Sequence, residues 1–267
     1  MGKILFLILL VLHGFIHLIG FVKAFNLADL KEITMEVYKP LGIIWLLTFL
    51  FFTVASVQYF SKNDFWWGAA FIGLLVSQTL IILYWQDAKF GTIPNVIILI
   101  AVLISFANFS FNKSVSREVT AMLSEMKKES PGLVTEEKIA HLPAPVKRWM
   151  MNNGIIGNKY ISSVKVKQQG LMKTKPEDEE WSKAEAIQFV TINPPAFIWK
   201  VDMQMMSFID VAGRDKFIDG KGEMLIKLFS AFPVVNSGDN EKINTGTLQR
   251  YLGEIVWYPT AALSPYI

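Results

Sequence analysis

His13 and His17 lie one helical turn apart in an apolar run that covers residues 4–25. This spacing places both imidazoles on one face of a helix. Ionisable side chains inside a membrane-length apolar run are costly and frequently functional, so the pair could form a metal, haem or proton site. The alternative, which we favour, is an interhelical layer in which polar side chains of neighbouring helices hydrogen-bond the imidazoles.

A metal or haem site has the weakest support of these interpretations. The other histidine, His141, lies outside the apolar runs, and no intramembrane carboxylate accompanies the pair. A typical zinc site needs at least three protein ligands, and two ligands on successive turns of one helix do not reach opposite sides of a haem. The sequence therefore predicts no metal ligand, no cofactor and no catalytic residue.

Polar residues in the other apolar runs are the candidate partners of the imidazoles. Four lie at compatible depths along their runs: Thr53, Ser77, Gln78 and Ser105. We expect His13, His17 and Gln78 to form an intramembrane polar site.

The elements that must position this site are four apolar runs, at residues 4–25, 41–60, 65–85 and 93–111. Each is long enough to cross about 30 Å of hydrocarbon at 1.5 Å per residue, which predicts four transmembrane helices. Lys and Arg are slightly more frequent on the side shared by the amino terminus and the exit of the fourth run. This bias favours a cytoplasmic location for the carboxy-terminal domain.

The remaining sequence predicts two further regions after a transmembrane domain at residues 1–112. Residues 113–157 form a helical connector that begins with an amphipathic helix at 114–129, which Pro131 ends. Residues 158–267 form a sheet domain of about five strands with a terminal helix at 247–257. The predicted fold is a membrane α-helical bundle of four spans plus an α+β domain with an antiparallel sheet that could curve into a half-barrel.

Residues 196–206 give the clearest strand signal, because apolar and polar side chains alternate along them. Phe197, Trp199, Met203 and Met205 share one face of this strand. We favour a role for this face in the core under the terminal helix, but methionine and aromatic side chains could also line an apolar ligand site. Two further strands are expected at residues 208–213 and 222–229, with Asp219–Gly220 forming a tight hairpin before the second of them.

Composition and charge exclude several classes of function. The net charge is +3, with no basic stripe of the kind that binds nucleic acid, and the chain has no cysteine for disulfides or thiolate chemistry. Charged residues near the predicted hairpin are best explained as a solvated edge of the sheet rather than an acid–base site: Asp210, Arg214, Asp215, Asp219 and Glu223.

Several motifs resemble a bacterial multi-pass membrane family classified only as a domain of unknown function. They are HGFIHLIGFVKAF at 13–25, LPAPVKRWMMNNGIIG at 142–157, NPPAFIWK at 193–200, GRDKFIDGKGEM at 213–224 and LQRYLGEIVWYPTAAL at 248–263. The resemblance implies a sheet domain similar in outline to half-barrel lipoprotein carriers, and further strand-rich sequence after the position of Ile267. It implies no activity and no catalytic residue.

Two functional hypotheses follow. The first is a non-enzymatic membrane protein whose sheet domain binds a lipid or another apolar small molecule at Phe197, Trp199, Met203 and Met205. The second is an integral-membrane enzyme or redox protein that uses His13 and His17. In both hypotheses the lipid bilayer is a partner of the protein, and in neither does the protein bind nucleic acid.

Overall fold

The computed structural model describes residues 2–28, 34–126, 132–173, 177, 179–206 and 209–267. It divides into two compact units, residues 1–109 and residues 110–267. The first unit is helical, and the second contains the sheet.

The helical unit contains four segments that are long and apolar enough to cross a membrane. The helices are α1 (Gly2–Ile16), α2 (Leu18–Ala24), α3 (Lys39–Phe60), α4 (Trp66–Leu83), α5 (Trp85–Ala88) and α6 (Thr92–Ser124). The first segment combines α1 with α2, α3 and α4 are the second and third, and the fourth combines α5 with α6. The predicted combination of four apolar spans with a sheet domain is confirmed.

Helix α6 corrects the prediction of a separate amphipathic helix after the fourth span. It continues without a break from Thr92 to Ser124, through the predicted end at Phe111. The sequence between Phe111 and Ser124 contains neither Gly nor Pro, so nothing interrupts the helical hydrogen bonds there. Residues 127–129 and Pro131, which the prediction placed at the end of this helix, lie outside the described residues.

Small residues allow close contact between α3 and the first segment. A Cβ atom on Gly20 would lie 2.2 Å from Trp45 Cδ2, and one on Gly42 would lie 2.3 Å from the Cβ of Ala24. These distances are shorter than any contact between two carbon atoms that are not bonded to each other, so glycine is required at both positions for this packing. The result is that the indole of Trp45 lies directly against the backbone of α2.

The second unit is built on one antiparallel sheet in the order β1-β2-β3-β4-β5-β6. The strands are β1 (Ser163–Met172), β2 (Ser182–Thr191), β3 (Ala196–Met206), β4 (Ile209–Ile218), β5 (Lys221–Leu228) and β6 (Phe232–Gly238). Short helices α7 (Glu136–Ile139) and α8 (Ala144–Asn152) precede the sheet, and α9 (Glu241–Glu254) follows it.

Strand β6 and the start of α9 correct the predicted order of elements. The sequence predicts about five strands, but the described residues form six, because β6 is an additional edge strand. Pro233 weakens the strand signal there, since proline donates no backbone hydrogen bond, and it lies at an irregularity in the pairing with β5. Helix α9 begins at Glu241 instead of residue 247, because the Asn240 side chain caps it by accepting a hydrogen bond from Ile243 N at 3.0 Å.

The predicted hairpin at Asp219–Gly220 is present between β4 and β5. Ile218 pairs directly with Lys221, and both turn residues have positive φ angles, 53° and 76°. This is the geometry that two-residue hairpin loops require. The predicted strand at 208–213 instead begins at Ile209 and runs into the hairpin, and Phe208 lies outside the described residues.

Helices cover both faces of the sheet within the second unit. On one face, Phe197 and Phe217 pack against Tyr251 of α9 and against Tyr258 just beyond it. On the other face, Ile198 and Ala212 belong to a cluster with four residues of α6, namely Phe111, Val115, Val119 and Met122. Strand β3 therefore presents apolar side chains to both faces of the sheet, Phe197 to one and Ile198 to the other.

Gly222 is a test of the packing between α9 and the sheet. A Cβ atom on Gly222 would lie 2.3 Å from Thr247 Oγ1 and 2.7 Å from the Ile243 carbonyl oxygen, so Gly222→Ala must displace the start of α9. We expect this substitution to lower the free energy of unfolding by about 1–3 kcal/mol, as overpacking does elsewhere. Thermal unfolding of the 267-residue chain in detergent measures the change.

The matched control is Gly170→Ala in β1, where an added Cβ atom meets nothing within 4 Å. It should leave the unfolding midpoint unchanged or raise it slightly, because alanine restricts the unfolded chain more than glycine does. Equal midpoints for the two variants would show that α9 does not pack on Gly222 as described.

Candidate functional site

The two histidines lie side by side in the helical unit. His13 belongs to α1, His17 lies at the junction of α1 and α2, and each is 2% exposed. Their ring centroids are 5.0 Å apart, in an edge-to-face arrangement. The predicted common face is therefore present, and it is directed into the unit.

Polar side chains of α4 and α6 reach the imidazoles. Asn95 Oδ1 of α6 lies 2.7 Å from His13 Nε2, and Ser77 Oγ of α4 lies 3.0 Å from His17 Nε2. Asn95 Nδ2 donates hydrogen bonds to Gln78 Oε1 and to Ser77 Oγ, each at 3.0 Å. We call these five residues, His13, His17, Ser77, Gln78 and Asn95, the polar layer. It links three of the four apolar segments.

Two of the four candidate partners from the sequence belong to this layer. Ser77 contacts His17 directly, whereas Gln78 contacts Asn95 and donates to Thr92 Oγ1 at 3.4 Å. The hydroxyl of Thr53 donates instead to the Phe49 carbonyl of its own helix. Ser105 lies ten residues after Asn95 on α6, about 15 Å along the helix axis.

Asn95 is the member that sequence reasoning missed. Its side chain is 4% exposed and contacts three other members of the layer. The available signal was its chemistry: an amide inside an apolar run needs hydrogen-bond partners as much as an imidazole does. Its position directly after Pro94 made it look like an ordinary first-turn residue.

A cavity of about 290 Å³ adjoins the polar layer. Both imidazoles line it, together with mainly apolar and aromatic side chains that include Trp45, Tyr84, Ala88 and Phe90. The Nδ1 atoms of His13 and His17 have no hydrogen-bond partner among the described protein atoms. The cavity lining thus combines mainly apolar and aromatic side chains with a few polar ones, which is the usual composition of a small-molecule pocket.

The described residues bring together no group of three or more His, Cys, Asp or Glu side chains that could hold a metal ion. Asp87 also lines the cavity, but its carboxylate accepts hydrogen bonds from Thr34 N and Thr34 Oγ1, at 2.8 Å and 2.7 Å. These bonds direct the carboxylate toward the segment before α3. What the cavity offers a ligand is therefore hydrogen bonding and apolar contact.

The four residues predicted to bind an apolar ligand on β3 fall into two groups. Phe197 is fully buried in the core beneath α9. Met203 and Met205 belong to a second apolar cluster, whose members all come from strands β1 to β5, and Trp199 contacts both clusters. We call this second group the strand cluster. The four residues therefore share one face of β3 but divide between two apolar clusters, which Trp199 connects.

A group of hydrogen-bonded polar residues surrounds Arg250 of α9. It lies next to Trp199, which belongs to both the core and the strand cluster. Arg250 donates hydrogen bonds to Glu254 Oε1 at 2.9 Å and to Asp215 Oδ2 at 3.2 Å, and its guanidinium lies 4.8 Å from the ring centre of Trp199. Gln188 hydrogen-bonds both Arg250 and Glu254. Burial raises the pKa of Asp215, and the neighbouring Arg250 and Arg214 guanidinium groups oppose that rise.

The charged residues near the hairpin do not converge on one site. Asp215 pairs with Arg250 on the α9 face of the sheet. Arg214 pairs with Glu223 at 3.0 Å and with Glu118 of α6 at 3.2 Å on the opposite face. Alternation along β4 separates Arg214 from Asp215, so these residues stabilise two helix–sheet contacts.

Removing Asn95 tests the polar layer. In Asn95→Leu, His13 Nε2 and Gln78 Oε1 lose their partner in an apolar surrounding, so we expect a loss of about 1–3 kcal/mol in the free energy of unfolding. Titration of the folded protein with a denaturing detergent, followed by circular dichroism, measures the loss.

Thr79→Val is the matched control, because Thr79 is exposed on α4 and bonds only the Leu75 carbonyl of its own helix among the described contacts. This variant should change the free energy by less than about 0.5 kcal/mol. The layer would lose its structural role if Asn95→Leu were no less stable than Thr79→Val.

Comparison with known proteins gives one match. No curated protein and no solved structure matches the chain. Residues 140–267 match a protein-family model described as a family of unknown function (DUF6920). The matched segment starts just before α8 and includes the whole sheet and α9. It therefore confirms, for residues 140–267, the resemblance to a family of unknown function that the motifs indicated.

Proposed function

We propose that the four apolar segments cross a membrane and that the helical unit binds a small apolar molecule from the bilayer. Only 17% to 39% of the residues in the four apolar windows are buried within the protein. The remaining apolar surface would be strongly unfavourable in water and is favourable against lipid. The positive-charge bias supports placing residues 110–267 on the cytoplasmic side.

The observation that carries the binding proposal is the cavity beside the polar layer. Its lining is mostly apolar and includes the imidazoles of His13 and His17, whose buried Nδ1 atoms have no hydrogen-bond partner among the described protein atoms. Buried polar atoms without a protein partner are rare in native structures, and a site that binds another molecule is one place where they occur. A ligand in this position would contact the imidazoles and the aromatic side chains at once.

A route from the bilayer is consistent with the exposure of the residues around the cavity. Ile16 of α1 is 53% exposed and Phe90 is 72% exposed, yet both line the cavity. In a membrane these surfaces face lipid, so an apolar molecule dissolved in the bilayer can enter without crossing water. Binding needs nothing beyond this arrangement.

Equilibrium dialysis against p-cymene, an apolar hydrocarbon of one small ring, tests the proposal. The protein in detergent should bind p-cymene in excess of detergent micelles alone. Ala88→Phe places a ring in the cavity and should abolish that excess.

Ala28→Phe is the control, because Ala28 is exposed and does not line the cavity. This variant should bind as the original protein does. Equal binding by the Ala88→Phe and Ala28→Phe variants would contradict the proposal, as would the absence of any excess binding.

Lipid binding by the sheet domain is a second candidate function. The observation that favours it is the strand cluster, in which Met172, Met205 and Leu228 are only partly buried around Met203. Phe197 is not part of this proposed lipid site, since α9 already covers it. Flexible methionine side chains can adapt to an acyl chain.

Substitution of Met205 tests this second function. Met205→Glu should reduce the lipid that co-purifies with the protein, measured by mass spectrometry of extracts, because a carboxylate is unfavourable beside an acyl chain. Val234→Glu, at an exposed position of β6, should have no effect. Equal lipid content in the two variants would remove the strand cluster as a lipid site.

A further inference from the structure

A second cavity lies at the other end of the helical unit, where α1 begins, α3 ends and α4 begins. Its volume is about 450 Å³. Trp66 lines it and Tyr84 lines the cavity beside the polar layer, so about 27 Å of helix α4 separates the two cavities. We call it the lysine cavity, and its lining includes Lys3, Ile4, Leu7, Phe60, Lys62 and Asp64.

The charges around the lysine cavity favour an anion. Lys3 and Lys62 contribute two ammonium groups and Asp64 contributes one carboxylate, so the charged side chains of the lining sum to +1. Within the described part of the chain, no carboxylate forms an ion pair with either ammonium group. An anion that enters the cavity would therefore meet two lysines that no protein carboxylate has neutralised.

Two helix ends add to this attraction. Helix α1 begins at Gly2 and α4 begins at Trp66, so the N-termini of both lie at the lysine cavity. The residue before α4, Phe65, makes no side-chain cap. Helix N-termini carry a partial positive charge and N–H groups without an intrahelical partner, and both features favour a bound anion.

One side of the lysine cavity is apolar and open. Ile4 is 65% exposed and Phe60 is 76% exposed, and both line the cavity. In the proposed membrane these side chains would contact lipid. A free phosphate ion would leave this apolar surface uncovered, whereas an acyl chain attached to the phosphate would cover it.

Aromatic side chains indicate that the lysine cavity lies at the depth of lipid headgroups. Tyr59 and Trp66 line it, with ring centroids 5.1 Å apart. Phe6 packs against both rings, at 5.2 Å and 5.6 Å. Tyrosine and tryptophan are enriched at the two interfaces between membrane and water, where phosphate groups also lie.

We propose that the lysine cavity binds one anionic phospholipid, an inference that rests on the proposed membrane location. Lys3 and Lys62 hold its phosphate. One acyl chain lies along Ile4, Leu7 and Phe60. The proposed orientation puts this end of the unit at the cytoplasmic leaflet, where anionic lipids attract basic side chains. A zwitterionic lipid has the same phosphate, but the lysines repel its ammonium group, so it binds less well.

Native mass spectrometry measures this preference. The 267-residue protein in detergent is mixed with equal amounts of phosphatidylglycerol and phosphatidylcholine that have the same acyl chains. The first bound lipid should be phosphatidylglycerol in about fivefold to tenfold excess, which two lysine contacts can supply. In the double variant Lys3→Gln, Lys62→Gln the excess should fall to about twofold or less.

The matched control is the double variant Lys39→Gln, Lys89→Gln. Both of these lysines are exposed, and neither lines the lysine cavity, so this variant removes the same charge from the opposite end of the unit. It should keep the excess of phosphatidylglycerol. An equal excess in the two double variants would overturn the proposal. Equal binding of the two lipids by the original protein would overturn it without any substitution.

Inorganic phosphate, added at constant ionic strength, separates a lipid site from a site for the free anion. Phosphatidylglycerol should stay bound, because its acyl chain contributes to binding. Displacement by inorganic phosphate would overturn the assignment to a lipid.

Alkaline extraction of membranes from expressing cells separates this proposal from the proposed membrane location. The protein should stay in the membrane pellet. A pelleted protein without a preference for phosphatidylglycerol would overturn the lipid site alone, whereas release into the soluble fraction would overturn both.

Discussion

Two imidazoles buried in an apolar bundle are the constraint on which the helical unit depends. Burying a polar group without a partner costs several kcal/mol, so His13 and His17 require polar side chains from neighbouring helices. Asn95 and Ser77 supply them, at 2.7 Å and 3.0 Å. In the membrane location that we propose, lipid offers no hydrophobic driving force between helices, so such hydrogen bonds and close glycine contacts would hold the segments together.

The polar layer uses only part of its hydrogen-bonding capacity within the protein. The Nε2 atoms face protein, whereas the Nδ1 atoms have no protein partner among the described residues. The sheet unit shows the contrasting case, in which Arg250, Asp215, Glu254 and Gln188 satisfy one another under α9. The network under α9 is closed, whereas the polar layer leaves two buried nitrogens without a protein partner in residues that line a cavity.

Sequence reasoning succeeded where a single periodic signal dominates. Apolar runs predicted the four segments, and period-two alternation with Asp219–Gly220 predicted the strands around the hairpin. It failed where the signal depends on tertiary contacts. Asn95 became significant only because α6 lies beside His13, and β6 exists because β5 provides a partner for a strand that contains Pro233. The division of the β3 face into two clusters depends on the position of α9, which no local pattern contains.

The most direct test of the central claim is nitrogen-15 NMR of the histidine side chains. The chain has three histidines, so substitution of His141 leaves only the signals of the buried pair. Coupling and chemical shifts identify which ring nitrogen carries the proton. The account predicts neutral imidazoles and a His13 Nε2 signal that changes in Asn95→Leu, because this substitution removes the hydrogen-bond partner of that atom. A charged His13, or a His13 Nε2 signal that is the same in Asn95→Leu, would contradict it.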